Sequence, residues 1–276
     1  GFLQGTQTIA IGSSAGFNSQ QQWGIAIGQQ AGNSGQGSAS IAIGYLAGNG
    51  TQGQFSVAIG SGAAQQGQKD NSISIGDNSG QIAQGTFSIA IGSAAGNRSQ
   101  ASQSIAIGYQ AGQTGQLSGS IALGYQAGNS NQGAGAVSIG YQAGQTGQKS
   151  GAISLGYQAG QSNQSINAIA IGNGAGIATQ GSGAIALGIN AGQNTQGINA
   201  IAIGSSAASF SQGSGAIALG INAGQNTQGF NAVAIGTGAA IFSQGSGGIA
   251  IGTTAGSTLQ GINAVAIGTS AGNTIQ

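Results

Sequence analysis

A sixteen-residue period runs through the whole chain without one insertion or deletion. The tetrad [IV]-[AS]-[IL]-G begins at Ile9, Ile25, Ile41, Val57, Ile73, Ile89, Ile105, Ile121, Val137, Ile153, Ile169, Ile185, Ile201, Ile217, Val233, Ile249 and Val265. Three residues after each tetrad stands an alanine, from Ala15 to Ala271, with Ser79 the one exception. A glutamine closes every unit, and the unit reads [IV]-A-I-G-x-x-A-G-x-x-x-Q-G-x-x-[AS]. Such regularity over 276 residues restricts the chain to an architecture in which each repeat contacts its neighbours in the same way.

The tetrad alternates large, small and large with β-branched residues, which is strand periodicity. Two or three glycines per unit would cost a helix about 1 kcal/mol each, and no 3.6-residue apolar stripe is present. The remaining Gly, Asn, Ser and Gln positions suit tight turns. Two short strands joined by two turns fit sixteen residues. The prediction is an all-β chain, a parallel β-solenoid (β-roll) of seventeen 16-residue coils, forming a single repeat domain over residues 1–276. At ~4.8 Å per coil the rod would be about 80 Å long. An inserted residue would throw a column out of register, which explains the strict spacing.

Columns follow from stacking. The Ile columns headed by Ile9 and Ile11 are expected to face the coil interior, beside the column from Ala15 to Ala271. Gly12 and Gly16 with their equivalents supply the bends. Ala10 and its equivalents, always Ala or Ser, are expected to point away and form a flat stripe for packing against another solenoid. That stripe, and the marginal stability of a thin isolated rod, predict a homo-oligomer: a trimer or laterally packed fibre.

The glutamine column comprises Gln20, Gln36, Gln52, Gln68, Gln84, Gln100, Gln116, Gln132, Gln148, Gln164, Gln180, Gln196, Gln212, Gln228, Gln244, Gln260 and Gln276. It reads as a structural ladder of amides bonding their copies above and below or satisfying turn backbone, the plainer alternative being a tolerated turn residue.

Composition then narrows function. The chain has no Cys, His, Met, Pro or Glu; its acids are Asp70 and Asp77, its bases Lys69, Arg98 and Lys149. General acid–base catalysis and metal binding need groups this inventory lacks, and a serine without a neighbouring base is a weak nucleophile. No enzyme activity, metal or cofactor is expected. A net charge of +1 offers nothing to steer toward nucleic acid, and no run of 18 apolar residues predicts a membrane span. Absence of cysteine leaves the redox compartment open. The chain opens Gly1-Phe2-Leu3-Gln4 and stops on Gln276 without a polar cap; it reads as a segment of a longer fibre protein or a polymerising unit.

Specificity, if any, lies in the variable columns. Tyr109, Tyr125, Tyr141 and Tyr157 occupy one position in four successive coils, flanked by Gln110, Gln126, Gln142 and Gln158. Such a strip suits surface glycans or a partner; alternatively it stiffens the wall or records unit duplication. Duplication is evident, since Gly181 to Gly197 recurs letter for letter at Gly213 to Gly229. From Ile166 onward a 32-residue superperiod alternates Ile166, Ile198, Phe230 and Ile262 with Ser182, Ser214 and Ser246. Lys69, Asp70 and Asp77 suggest a local ion pair, and Asn49, Asn97 and Asn163 lie in glycosylation sequons.

The tetrads Ile169-Ala-Ile-Gly and Val265-Ala-Ile-Gly, each followed by xxA, resemble the head repeats of trimeric autotransporter adhesins. The resemblance implies a left-handed parallel β-roll three chains wide. Similar A-I-G-x-x-A-G repeats also resemble fibre proteins of large viruses and phages. Expected function is therefore a structural or adhesive extracellular fibre on a cell or virion surface, with self as partner and surface glycans or a host surface as further ones. The alternatives are an ice-binding protein or a glycan-binding solenoid module. For ice, the column of Thr237, Thr253 and Thr269 runs back through Ser205, Ile189, Asn173 and Tyr157, which is not a regular hydroxyl array.

Overall fold

A computed structural model describes residues 4–274. The backbone divides into two compact units, Gly1–Ala136 and Val137–Gln276. Both are parallel β-solenoids of 16-residue coils.

In the first unit each tetrad forms a three-residue strand: Ile9–Ile11, Ile25–Ile27, Ile41–Ile43, Val57–Ile59, Ile73–Ile75, Ile89–Ile91, Ile105–Ile107 and Ile121–Leu123. Neighbours pair parallel at a sixteen-residue register, Ile9 with Ile25 and Ala10 with Ala26. A second parallel sheet, Gln66–Gln68, Ile82–Gln84, Arg98–Gln100 and Thr114–Gln116, forms the other wall. The second unit repeats the plan. Its tetrad strands run from Val137–Ile139 and Ile153–Leu155 through Val265–Ile267. Its second wall comprises Thr179–Gln180, Thr195–Gln196, Ser211–Gln212, Thr227–Gln228, Ser243–Gln244 and Leu259–Gln260.

Turns stack as well as strands. The Gly16 N–H donates to the Ala31 carbonyl at 2.9 Å and the Ala39 N–H to the Gln22 carbonyl at 2.9 Å, so backbone groups at the corners are satisfied by the adjoining coil. One corner depends on glycine absolutely. Gly188 has φ +129°, and a Cβ placed on it would lie 2.8 Å from the Gly204 carbonyl oxygen of the next coil. The last tetrad residue is glycine in all seventeen units.

The pleat faces opposite to the expectation from the tetrad. Ala26, Ala42, Ala186 and Ala202, at the middle of their strands, are completely buried, whereas the flanking isoleucines are half-buried or exposed. The interior is built from four inward residues per coil: the strand-centre Ala or Ser, the Ala of the following turn, the glutamine, and the small residue before the next strand. In the coil containing Ile185 these are Ala186, Ala191, Gln196 and Ala200, all buried. Two walls of two or three residues enclose a cross-section with room for methyl groups and one amide per coil. Two isoleucines per coil would not fit, so the alternation puts them outside. The continuous core of the second unit accordingly consists of alanines from Ala159 to Ala266. Replacing Ala186 by Leu is expected to lower stability by about 1–3 kcal/mol through overpacking, read as a shifted chemical-denaturation midpoint.

Candidate interaction surface

Because the small residues point inward, each tetrad strand presents two aliphatic side chains to the outside. In the second unit nine strands form two parallel columns, one through Ile153, Ile169 and Ile185, the other through Leu155, Ile171 and Leu187. Leu155, Leu187 and Leu219 are 40%, 40% and 42% exposed, and the rest of the face is half-buried except at the final strand, where Val265 and Ile267 are exposed. Side chains of one column stand at the coil spacing of ~4.8 Å and support one another along the face. It carries no charge: Lys149, just after Gln148, is the second unit's sole charged side chain.

The glutamines are held inside. Gln180, Gln196 and Gln212 are among the largest fully or almost fully buried side chains. Gln196 Nε2 donates to the carbonyls of Ile185 at 2.6 Å and Ala200 at 3.1 Å, and to Gln212 Oε1 at 3.1 Å. The amide chain continues from Gln148 to Gln164, Gln180, Gln196, Gln212, Gln228, Gln244 and Gln260 at 3.0 to 3.2 Å. The first unit keeps the bonds to backbone, such as Gln36 Nε2 to the Ile25 carbonyl at 2.7 Å. Amide-to-amide links run from Gln68 Nε2 to Gln84 and from Gln116 Nε2 to Gln132, while the Oε1 atoms of Gln20, Gln36, Gln52, Gln68, Gln100 and Gln116 lack a hydrogen-bond donor. Gln276 lies outside the described residues.

Ser occurs at the strand centre in three coils, and each time its hydroxyl reaches the buried amide. Ser138 Oγ donates to Gln148 Oε1 at 2.6 Å and Ser154 Oγ to Gln164 Oε1 at 2.6 Å, with Ser74 doing the same to Gln84. A buried hydroxyl costs little when its hydrogen bond is made, which explains why Ser alone replaces Ala there.

The tyrosine strip lies on the outside. Tyr109 and Tyr125 stack with ring centroids 5.2 Å apart, and Tyr141 and Tyr157 do so at 5.0 Å. Beside them Gln126 Nε2 donates to Gln110 Oε1 at 2.8 Å and Gln158 Nε2 to Gln142 Oε1 at 3.0 Å. Within each pair the rings cover one another's faces, so the strip offers mainly edges, hydroxyls and an amide ladder to a partner.

Two expectations for the surface change. Among the described residues Lys69, Asp70 and Asp77 form no ion pair; Asp70 Oδ1 accepts the Gln54 backbone N–H at 2.9 Å, and Asp77 Oδ2 accepts from Asn78 at 3.0 Å. Asn97, one of the sequon residues, is buried, and its Nδ2 donates to the Asn78 carbonyl at 2.8 Å, so the folded chain withholds that nitrogen from glycosylation.

A regular hydroxyl array does exist, in a different column from the one read in the sequence. Thr179, Thr195, Ser211, Thr227 and Ser243 stand in register on the second wall of the second unit. The signal was available at the residue before each glutamine. Phe210 and Phe242 protrude immediately beside this ladder, 54% and 57% exposed.

Among the described residues no three His, Cys, Asp or Glu side chains come together, and no helix is long and apolar enough to cross a membrane. The fold defines a parallel β-solenoid repeat protein of β-roll type. No protein-family model and no curated protein matches the chain.

Proposed function

We propose that the chain is a non-enzymatic structural element of an extracellular fibre, on a cell or virion surface, and that it associates with copies of itself through the outward aliphatic face. The paired Ile, Val and Leu columns carry this reading. The eighteen outward side chains of the second unit's tetrad strands expose on the order of 900 Å², more than the ~300–600 Å² of the largest apolar patch on a typical monomer. A partner with the same flat, uncharged, 4.8 Å-spaced face is another copy of this chain. The finer assignment to an adhesin-like head, three chains wide, fits a coil whose bulky apolar residues point outward and need a shared interior. Adhesion through the Tyr109–Tyr125 and Tyr141–Tyr157 edges would be an added property of such a fibre.

The test is Ile201→Lys combined with Ile203→Lys. Sedimentation velocity should show the assembly fall to smaller species while the far-ultraviolet circular dichroism stays that of a β protein. A wild-type chain that is a monodisperse, stable monomer would refute self-association, as would an assembly indifferent to the two lysines. Ice binding is the second reading, favoured by the Thr179 to Ser243 ladder and opposed by the protruding Phe210 and Phe242, which interrupt a flat face. Absence of thermal hysteresis in the purified protein would eliminate it.

A further inference from the structure

The 32-residue superperiod has an internal half and an external half. The internal half is a pairing of turn residues. A Cβ on Gly183 would lie 2.4 Å from Asn199 Oδ1, and the same holds at 2.3 Å for Gly215 under Asn231 and Gly247 under Asn263. Each Asn leans over the glycine of the preceding coil, so Asn and Gly alternate here, although the same column elsewhere holds Gly119, Gly135 and Gly151 in succession and Asn71 after Phe55. The residue just before them alternates too, Ile or Phe before Asn and Ser before Gly, but the Asn–Gly contact does not require that. Ile198, Phe230 and Ile262 are 55%, 62% and 75% exposed. Phe210 and Phe242 protrude from the intervening coils at the edge of the second wall.

We infer that this corner of the second unit is a lateral docking surface for a second copy of the same chain, set off by an odd number of coils so that the knobs of one fill the serine gaps of the other. Knobs in one column recur every two coils, about 9.6 Å apart. A knob entering midway lies ~4.8 Å from each neighbour, the distance at which the rings of Tyr109 and Tyr125 already stack, at 5.2 Å. Only a partner with the same two-coil spacing can fill successive gaps, and this chain has that spacing. The exposed surface of Ile166, Ile198, Phe230 and Ile262 with Phe210 and Phe242 is roughly 700–800 Å², close to the ~800 Å² per partner of a standard specific interface. Lys149 stands one coil before Ser165, at the Ile166 end of the corner, and no charged side chain lies from there to Ile262. The corner is separate from the outward aliphatic face and would join assemblies side by side.

Filling the gaps tests the geometry by the sign of its effect. Ser182→Phe with Ser246→Phe adds apolar surface at a position where Phe230 already shows that phenylalanine folds. Knob-into-gap docking predicts association weakened at least about tenfold in sedimentation velocity, because the gaps are closed. Ile198→Ser with Phe230→Ser should weaken it by about tenfold to a hundredfold, through lost apolar burial. Unchanged or tighter association of the gap-filled protein would overturn the proposal, as would no loss on removing the knobs. Neither result touches the aliphatic face, whose lysine variants report on it separately.

Discussion

Substituting leucine for Gln196 is expected to destabilise the second unit by about 3–6 kcal/mol, although leucine is close in volume and more apolar. Gln196 Nε2 serves the Ile185 and Ala200 carbonyls and Gln212 Oε1, and its Oε1 accepts from Gln180 Nε2 at 3.0 Å. Removing the amide leaves Gln212 Oε1 with no donor and takes the side-chain donor from the Ile185 carbonyl, both inside a core that holds no room for water to replace it. A buried polar group stranded in this way costs about 1–3 kcal/mol, and the lost charge-free bonds about 1 kcal/mol each. The control is Gln193→Leu in the same coil. Gln193 is only partly buried and its Nε2 makes one long bond to Asn190 Oδ1, at 3.4 Å, so the change should stay within about 0.5 kcal/mol. Denaturant midpoints for the two variants separate the role of the column from the role of the residue type. Equal, small losses would mean that the ladder is decoration.

The second large effect is expected at Gly188. Alanine there must adopt φ near +129°, outside the regions open to L-residues, and its Cβ would meet the Gly204 carbonyl oxygen at 2.8 Å. Gly204 cannot retreat, because its coil is held on both sides: its N–H donates to the Leu187 carbonyl of the preceding coil at 2.9 Å, and the Ile203 carbonyl accepts the Gly220 N–H of the next at 2.8 Å. Backbone strain and the steric conflict add, so at least about 3 kcal/mol is lost. Gly192, four residues on, is the comparison. It has φ +50° and a Cβ would meet side-chain atoms first, Gln196 Oε1 at 3.0 Å and Ala186 Cβ at 3.2 Å among them. Ala64, Ala208 and Ala240 already occupy the equivalent position at φ of 47° to 50°, so Gly192→Ala should cost about 1 kcal/mol. Thermal melts of the pair would show a large drop for one and a small drop for the other.

Period, strand position and corner glycines were legible in the sequence because each leaves a mark in every unit. The direction of the pleat was not, because alternation at period two says that Ile9 and Ala10 face opposite ways without saying which faces in. The clue lay in tolerance. The strand-centre position accepts only Ala or Ser, the turn position Ala except at Ser79, and the position before the strand is small in every unit but one, Thr8 before Ile9. Outward positions exchange Ile, Val and Leu freely. A narrow interior restricts volume more tightly than an open face does, so the most restricted columns are the internal ones. The second wall left a weaker mark, since Arg98–Gln100 and Thr195–Gln196 have no apolar alternation; they are held by stacking on neighbours and by the glutamine. The ion pair expected near Lys69 failed because a backbone N–H, Gln54, lies in reach of Asp70.

The lean of each Asn over the glycine of the preceding coil bears on how such a chain can change its length. Where coils are interchangeable, a gene can gain or lose sixteen codons and the new junction closes like any other. Between Gly183 and Asn263 a single-coil deletion would set Asn against Asn or leave two glycines facing each other and so break the alternation, whereas a two-coil deletion preserves it. In that stretch the step that leaves every such contact unchanged is a pair of coils. The verbatim copy of Gly181 to Gly197 at Gly213 to Gly229 is displaced by one such step, thirty-two residues.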